Sequence, residues 1–162
     1  MKANVNELLN VLSNNDVTFF IPPYQRNYEW TESQCEVFLD DVLKVAKTNS
    51  SGIRAQHFFG TIVYVADNRV FGQPDTLILT DGQQRITTTM LFLAAIRDLI
   101  TDKVQQEYID THYLRNENVA SDNEYKIKLK QVETDWGAYK NIILRNHISK
   151  DDENTHVYRN YL

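Results

Sequence analysis

The chain has 162 residues, 42% of them hydrophobic, with nine tyrosines, seven phenylalanines and a formal net charge of −5. Such a length and composition suit one folded domain with a sizeable core and exclude a disordered segment, and the acidic balance argues against the chain as a whole being a nucleic-acid binder. The single cysteine, Cys35, excludes an internal disulfide, no charged-then-apolar leader opens the sequence, and no apolar run reaches membrane-spanning length, so the reading is a cytoplasmic protein.

Val5, Leu8, Leu9 and Leu12 fall at i, i+3, i+4 and i+7 and predict a short amphipathic helix. Residues 17–21 (Val-Thr-Phe-Phe-Ile) read as a strand stopped by Pro22 and Pro23. A loop of long polar and aromatic side chains follows from Tyr24 to Trp30. Thr31 and Gln34 then form a capping box for a helix whose apolar stripe is Cys35, Phe38, Leu39, Val42, Leu43 and Ala46. Residues 48–56 are expected to be a polar, mobile connection. Residues 57–65 predict a largely buried strand, 67–69 a turn, Val70-Phe71 a short strand pairing back, 72–75 a second turn and 76–79 a buried strand.

After a polar turn at 80–85, an apolar helix is expected to end near Ile100. Thr101-Asp102 caps a further helix to about Leu114, and 115–123 is a loop. Tyr125, Ile127 and Leu129 alternate with Lys126, Lys128 and Lys130, the period of a half-exposed strand with a lysine face. Thr134 is expected to cap a helix through Trp136, Tyr139, Ile142 and Ile143. Residues 150–153 form a charged turn, and another helix begins near Tyr158 and Tyr161, so the chain reads as the N-terminal piece of something longer.

The chemistry concentrates in Asp81-Gly82-Gln83-Gln84-Arg85. A strand-to-helix turn needs only a glycine and a cap, and the N–H groups of a helix start favour an anion. On the functional reading Arg85 holds a phosphate or carboxylate with its planar fork. Asp81 holds a metal or ribose or orients a water, and Gln83 and Gln84 supply amides. The structural alternative has Asp81 capping the helix and Arg85 pairing with it. No Walker A loop is present. The loop from Tyr24 to Trp30 is either a second wall of the site, with Arg26 on phosphate and Tyr24, Tyr28 or Trp30 stacking, or a buried aromatic corner. His57 is a base or a structural histidine. His112, His147 and His156 lack zinc-ligand spacing, and Cys35 belongs to the core.

Two motifs carry a resemblance. Ile21-Pro22-Pro23-Tyr24-Gln25-Arg26-Asn27-Tyr28-Glu29-Trp30 and Asp81-Gly82-Gln83-Gln84-Arg85-Ile86-Thr87-Thr88 resemble the signatures of the GmrSD-type restriction endonuclease N-terminal domain family. His57-Phe58-Phe59-Gly60 is similar to a weaker element of that family, as are Lys128-Leu129-Lys130 and the following Asp135. The resemblance implies an α+β fold: a small mixed β-sheet packed with helices, ParB/sulfiredoxin-like. It also implies a role in modification-dependent DNA restriction and phage defence, through nucleotide binding and hydrolysis with Mg²⁺. Nuclease chemistry would lie in a separate C-terminal domain or partner subunit, since no His-Asn-His set can be assembled here.

Carried over by motif, the catalytic set is Asp81, Gln83, Gln84 and Arg85, with Asp81 also the metal ligand. The nucleotide-binding set is Tyr24, Gln25, Arg26, His57, Gly82, Arg85, Thr87 and Thr88. Arg85 and Arg26 would take phosphates, and one of the two glutamines would position water. Two other readings compete. One is a DNA or modified-base binding module without turnover, in which Tyr24, Tyr28 and Trp30 stack on a base and Lys126, Lys128 and Lys130 follow the backbone. The other is a partner-docking domain.

Overall fold

The computed structural model describes residues 5–67, 74–117, 119 and 124–162. The expected turn through Asn68-Arg69, the Val70-Phe71 strand and the Gly72-Gln73 turn lie outside the described residues. Four strands form one mixed sheet: β1 (Val17–Phe20), β2 (Val63–Ala66), β3 (Asp75–Asp81) and β4 (Leu129–Lys130), in the order β2-β3-β1-β4. β1 runs parallel to both β3 and β4, and β2 is antiparallel to β3. The helices are α1 (Leu8–Leu12), α2 (Glu32–Ser50), α3 (Gln83–Leu99), α4 (Lys103–Ile109), α5 (Glu133–Leu144), α6 (Lys150–Glu153) and α7 (His156–Arg159). The fold is α+β, a small mixed sheet packed with helices. Among the described residues no helix is long and apolar enough to cross a membrane.

The core gathers where α3 and α5 meet the sheet. Ile86, Met90, Leu91 and Ala94 of α3 lie with Ala138, Tyr139, Ile142 and Ile143 of α5, with Phe19, Leu79, Leu114, Ile127 and Leu129 beneath them and Val157 of α7 at the edge. Arg97, fully buried, ties these parts together. It pairs with Asp98 and Asp110 at 2.7 Å each and donates to the carbonyls of Ile142 and Ile143 in the last turn of α5. A buried guanidinium is tolerated because each face of its fork has a partner.

Several elements depart from the pattern in the sequence. The strand expected at 57–65 forms only as β2, and all four of its residues are exposed, because β2 is an edge strand with β3 as its neighbour. α2 runs on through Ser50, its last turns extended by Thr48 and Ser50 hydroxyls bonding back to Lys44 and Ala46. None of its residues is fully buried, and Leu39 and Leu43 face solvent. The helix seats along a narrow line, where Phe38 meets Phe59 and Phe92 edge-on at 5.7 Å. α5 starts two residues early, after Val132, and the Thr134 hydroxyl donates instead to Asn27. Residues 150–153 form α6, capped by Ser149, where a turn is expected. Asp102 does cap α4, accepting from Val104 and Gln105, but the helix then widens into a π-helical turn, Asp110–Leu114.

The lysine face is the largest difference. The strand is only two residues long, and Lys128 is fully buried, its ammonium donating to the carbonyls of Leu12 and His112. It closes the end of α1 and the π-helical turn, two places where carbonyls lack an intrahelical partner. Lys126 likewise bonds the carbonyls of Glu117 and Val119, and Lys130 lies 5.9 Å above the Phe20 ring. Burial lowers the Lys128 pKa to about 8. Between about pH 8 and the ordinary lysine value the unfolded chain therefore binds a proton that the folded chain does not, so this group adds stability as pH rises through that window. The neutral amine keeps enough hydrogens for both carbonyls. The thermal midpoint of the wild-type chain should thus gain on that of Lys128→Met between pH 7 and pH 10; a constant difference would show that the lysine titrates normally.

Candidate functional site

β3 ends at Asp81, the chain turns at Gly82 and α3 begins at Gln83. Gly82 has φ +90°, and a Cβ there would lie 3.2 Å from the Thr61 carbonyl oxygen and from Ile62 Cγ1. Both the backbone conformation and the close approach of segment 61–62 require glycine. Gly82 is the N-cap of α3 and offers no side-chain cap, and Asp81 does not take that place. The first N–H groups of a seventeen-residue helix, at the positive end of its dipole, therefore have no capping side chain at the turn.

Arg85 sits one turn into the helix and reaches back over this opening. One Nη donates to the Thr61 carbonyl at 2.6 Å, and the same nitrogen lies 3.5 Å from Asp81, a loose ion pair with a half-exposed carboxylate. The Arg85 Nε is buried and has no hydrogen-bond partner. The guanidinium lies against Gly60: a Cβ at that residue, which has φ +100°, would come within 2.7 Å of its other Nη. Segment 60–61 thus holds one edge of the fork by its carbonyl and leaves space for the rest. This leaves a buried guanidinium N–H without an acceptor next to a helix start without a side-chain cap.

The loop before α2 forms the other side. Gln25 Nε2 donates to the Thr80 carbonyl at 3.4 Å, and Gln83 Nε2 donates to Gln25 Oε1 at 3.3 Å, so the two motifs touch across the turn. Gln84 is the fastener. Its Oε1 accepts from the N–H groups of Glu29 (2.8 Å) and Trp30 (3.3 Å), and its Nε2 donates to the Asn27 carbonyl at 2.8 Å. With 6% of its surface exposed, this amide reads the loop backbone and is not open to a ligand.

Asp135 of α5 accepts from the Tyr28 N–H at 2.6 Å, and burial raises the pKa of its carboxyl, an effect that this N–H partly offsets. Thr87 and Thr88 point inward. Their hydroxyls donate to the carbonyls of Gln83 and Gln84, while Gln131 bonds Thr87 and the Tyr28 hydroxyl lies 2.7 Å from Thr88.

The structure therefore brings Gln25, Asp81, Gly82, Gln83 and Arg85 together at the turn, with Gly60 and Thr61 against the Arg85 guanidinium. Tyr24 is exposed on the loop, and Arg26 pairs with Glu29 at 3.6 Å within it. His57 lies against α2, 3.5 Å from Asp41. Tyr28 is buried among Thr88, Cys35 and Asn160. The residues not marked by the motifs are Thr61, Gln131 and Asn160. Thr61 acts through its backbone, and the other two sit in segments whose sequence carries no turn or metal-ligand pattern, so no local signal points to them.

Among the described residues no group of three or more His, Cys, Asp or Glu comes close enough to hold a metal ion. Asp81 is a lone carboxylate at the opening. Such a donor suits Mg²⁺ that arrives on phosphates, because that ion keeps several waters and takes one or two protein carboxylates.

The sequence model of one family, described as "GmrSD restriction endonuclease, N-terminal domain", matches the chain over residues 5–162. No curated protein matches it.

Gln84→Glu tests the fastener. The carboxylate still accepts from Glu29 and Trp30, but it faces the Asn27 carbonyl without a hydrogen to offer. Leaving that buried acceptor unpaired costs roughly 1–3 kcal/mol, a fall in thermal midpoint of about 2–12 °C for a chain of this size. An unchanged midpoint in differential scanning fluorimetry would mean that the loop holds its place without Gln84.

Proposed function

This chain belongs to the GmrSD restriction endonuclease N-terminal domain family, and we propose from that premise that the 81–85 turn binds the phosphates of a nucleoside triphosphate and promotes its hydrolysis. In this reading the domain is cytoplasmic and gates a modification-dependent DNA restriction system of phage defence. It works as the N-terminal piece of a longer protein that reaches DNA through a C-terminal nuclease domain or a partner subunit. The small mixed sheet would then be a variant of the ParB/sulfiredoxin-like core.

The observation that carries the reading is Arg85. One Nη of its fork is fixed by the Thr61 carbonyl, and its buried Nε lacks an acceptor, beside a helix start without a side-chain cap. A phosphate there would meet the guanidinium and the first N–H groups of α3 together. Gln83, whose amide donates to Gln25, would orient a water or a phosphate oxygen. With the Gln84 amide committed to the loop backbone, Gln83 is the glutamine assigned to water. Asp81 would hold Mg²⁺ carried on the phosphates, or orient the attacking water. The metal supplies neutralisation of phosphate charge when bound.

Arg26, now paired with Glu29, and His57, now beside Asp41, would serve as further phosphate contacts, and the exposed Tyr24 ring would offer a surface for the base. Thr87 and Thr88 would support the site by fixing the first turns of α3 from within. The reading as a base-stacking DNA module is weakened by the burial of Tyr28 and Lys128, two of the residues it relies on.

Thermal denaturation with each nucleoside triphosphate and Mg²⁺, together with phosphate release, tests the proposal. A nucleotide present at a hundred times its Kd should add about 2.7 kcal/mol, raising the midpoint by about 5–11 °C. Arg85→Ala should abolish the shift. Asp81→Ala should slow phosphate release roughly a hundredfold. The proposal fails if both variants keep the wild-type shift and rate.

A further inference from the structure

Asn160 follows α7, far along the chain from both motifs, yet its side-chain amide closes on the loop of the first. Nδ2 donates to the Trp30 carbonyl at 2.6 Å and to the Tyr28 hydroxyl at 3.2 Å. A carbonyl can only accept, so the first of these bonds fixes which end of the amide faces the loop. The Thr88 hydroxyl gives its one hydrogen to the Gln84 carbonyl at 3.0 Å, which leaves the Tyr28 hydroxyl as the donor to Thr88 at 2.7 Å. The result is a one-way series of donors: Asn160 amide, Tyr28 hydroxyl, Thr88 hydroxyl, Gln84 carbonyl. It runs from the tail of the described chain to the first turn of α3, through buried groups where such series strengthen one another.

The two ends of this series meet the same loop twice. Gln84 holds the backbone of Asn27, Glu29 and Trp30 from the α3 side, and Asn160 holds Trp30 and Tyr28 from the α7 side. Gln25, which touches both Thr80 and Gln83, lies just before this clamped segment. Moving α7 therefore moves the wall of the opening, and a ligand that draws Gln25 or Arg26 inward pulls on Asn160.

Building on the nucleotide reading above, we infer that Asn160 is a positioning residue and that α7 couples occupancy of the 81–85 turn to the C-terminal end of this chain. Coupling of this kind is reciprocal: what tightens α7 tightens nucleotide, and nucleotide tightens α7.

The probe is the nucleoside triphosphate that gives the largest thermal shift, with Mg²⁺, titrated into the wild-type chain, Asn160→Asp and Tyr161→Phe. Asn160→Asp keeps the shape but sets oxygens against the Trp30 carbonyl, and it should weaken nucleotide about tenfold. Tyr161→Phe removes a different tether of the same tail, the bond from its hydroxyl to Asp98 at 2.8 Å. It should weaken nucleotide less than Asn160→Asp does, because Asn160 keeps its bonds to Trp30 and Tyr28; equal weakening by the two variants would show that Asn160 has a merely structural role. Hydrogen exchange on the wild-type chain gives an independent readout should Asn160→Asp fail to fold. Nucleotide should slow the amides of Asn160, Tyr161 and Leu162 about tenfold. If the wild-type chain binds nucleotide while those amides and the Asn160→Asp affinity stay unchanged, the coupling is refuted and the nucleotide reading stands. If the wild-type chain binds no nucleotide, both fall.

Discussion

The three hydrogen bonds of the Gln84 side chain hold this structure's two motifs in register. Neither motif builds an opening alone. The loop from Pro22 to Trp30 has no regular secondary structure of its own, and the turn after β3 has one open side. Backbone N–H and C=O groups in such a loop must find partners when they leave water. Gln84 supplies an acceptor for two N–H groups and a donor for one carbonyl from a single planar amide. Asp135, Asn160 and Thr134 complete the set from α5 and α7. The loop is thus pinned from three helices, and Gln25 is left facing the turn.

This explains a feature that is odd for a central helix. The first two turns of α3 are rich in polar residues, yet Gln83, Gln84, Thr87, Thr88 and Thr89 are all buried. Buried polar groups are affordable when each is bonded, and they then specify one arrangement more sharply than an apolar surface does. Farther along the same helix Arg97 does the equivalent at the other end, closing the last carbonyls of α5 against two carboxylates. α3 is fixed in position at both ends by polar contacts and in the middle by Ile86, Met90, Leu91 and Ala94. Arg85 is the exception among the described residues of this helix, because its buried Nε has no acceptor.

Much of this was legible from residue order. The capping box at Thr31, the cap at Asp102 and the glycine turn before α3 each depend on neighbours within a few positions, and they form where the local pattern puts them, whereas α1 covers only Leu8–Leu12 and leaves Val5 outside the helix. What was not legible depends on partners far away. Alternation at 125–130 looks like a half-exposed strand, but Lys128 is drawn inward by carbonyls of α1 and the π-helical turn, at positions 12 and 112. The apolar stripe of α2 looks like a core face, but the sheet ends at β2 and little lies there to cover it. The motif residues showed that chemistry gathers at 81–85. They did not show that Gln84 and the threonines face the interior while Arg85 and Asp81 face the opening, since that division depends on the loop, Gln131 and Asn160 arriving from elsewhere.

The central claim is that the Arg85 fork receives a phosphate. Isothermal titration of a non-hydrolysable nucleoside triphosphate with Mg²⁺ into the wild-type chain and into Arg85→Gln measures it most directly. Glutamine keeps a polar side chain but removes the charge and the fork. The account predicts saturable one-site binding to the wild-type chain and a loss of affinity of at least about tenfold in the variant, the scale of one charge-assisted hydrogen bond. Equal affinity in the two proteins would contradict it.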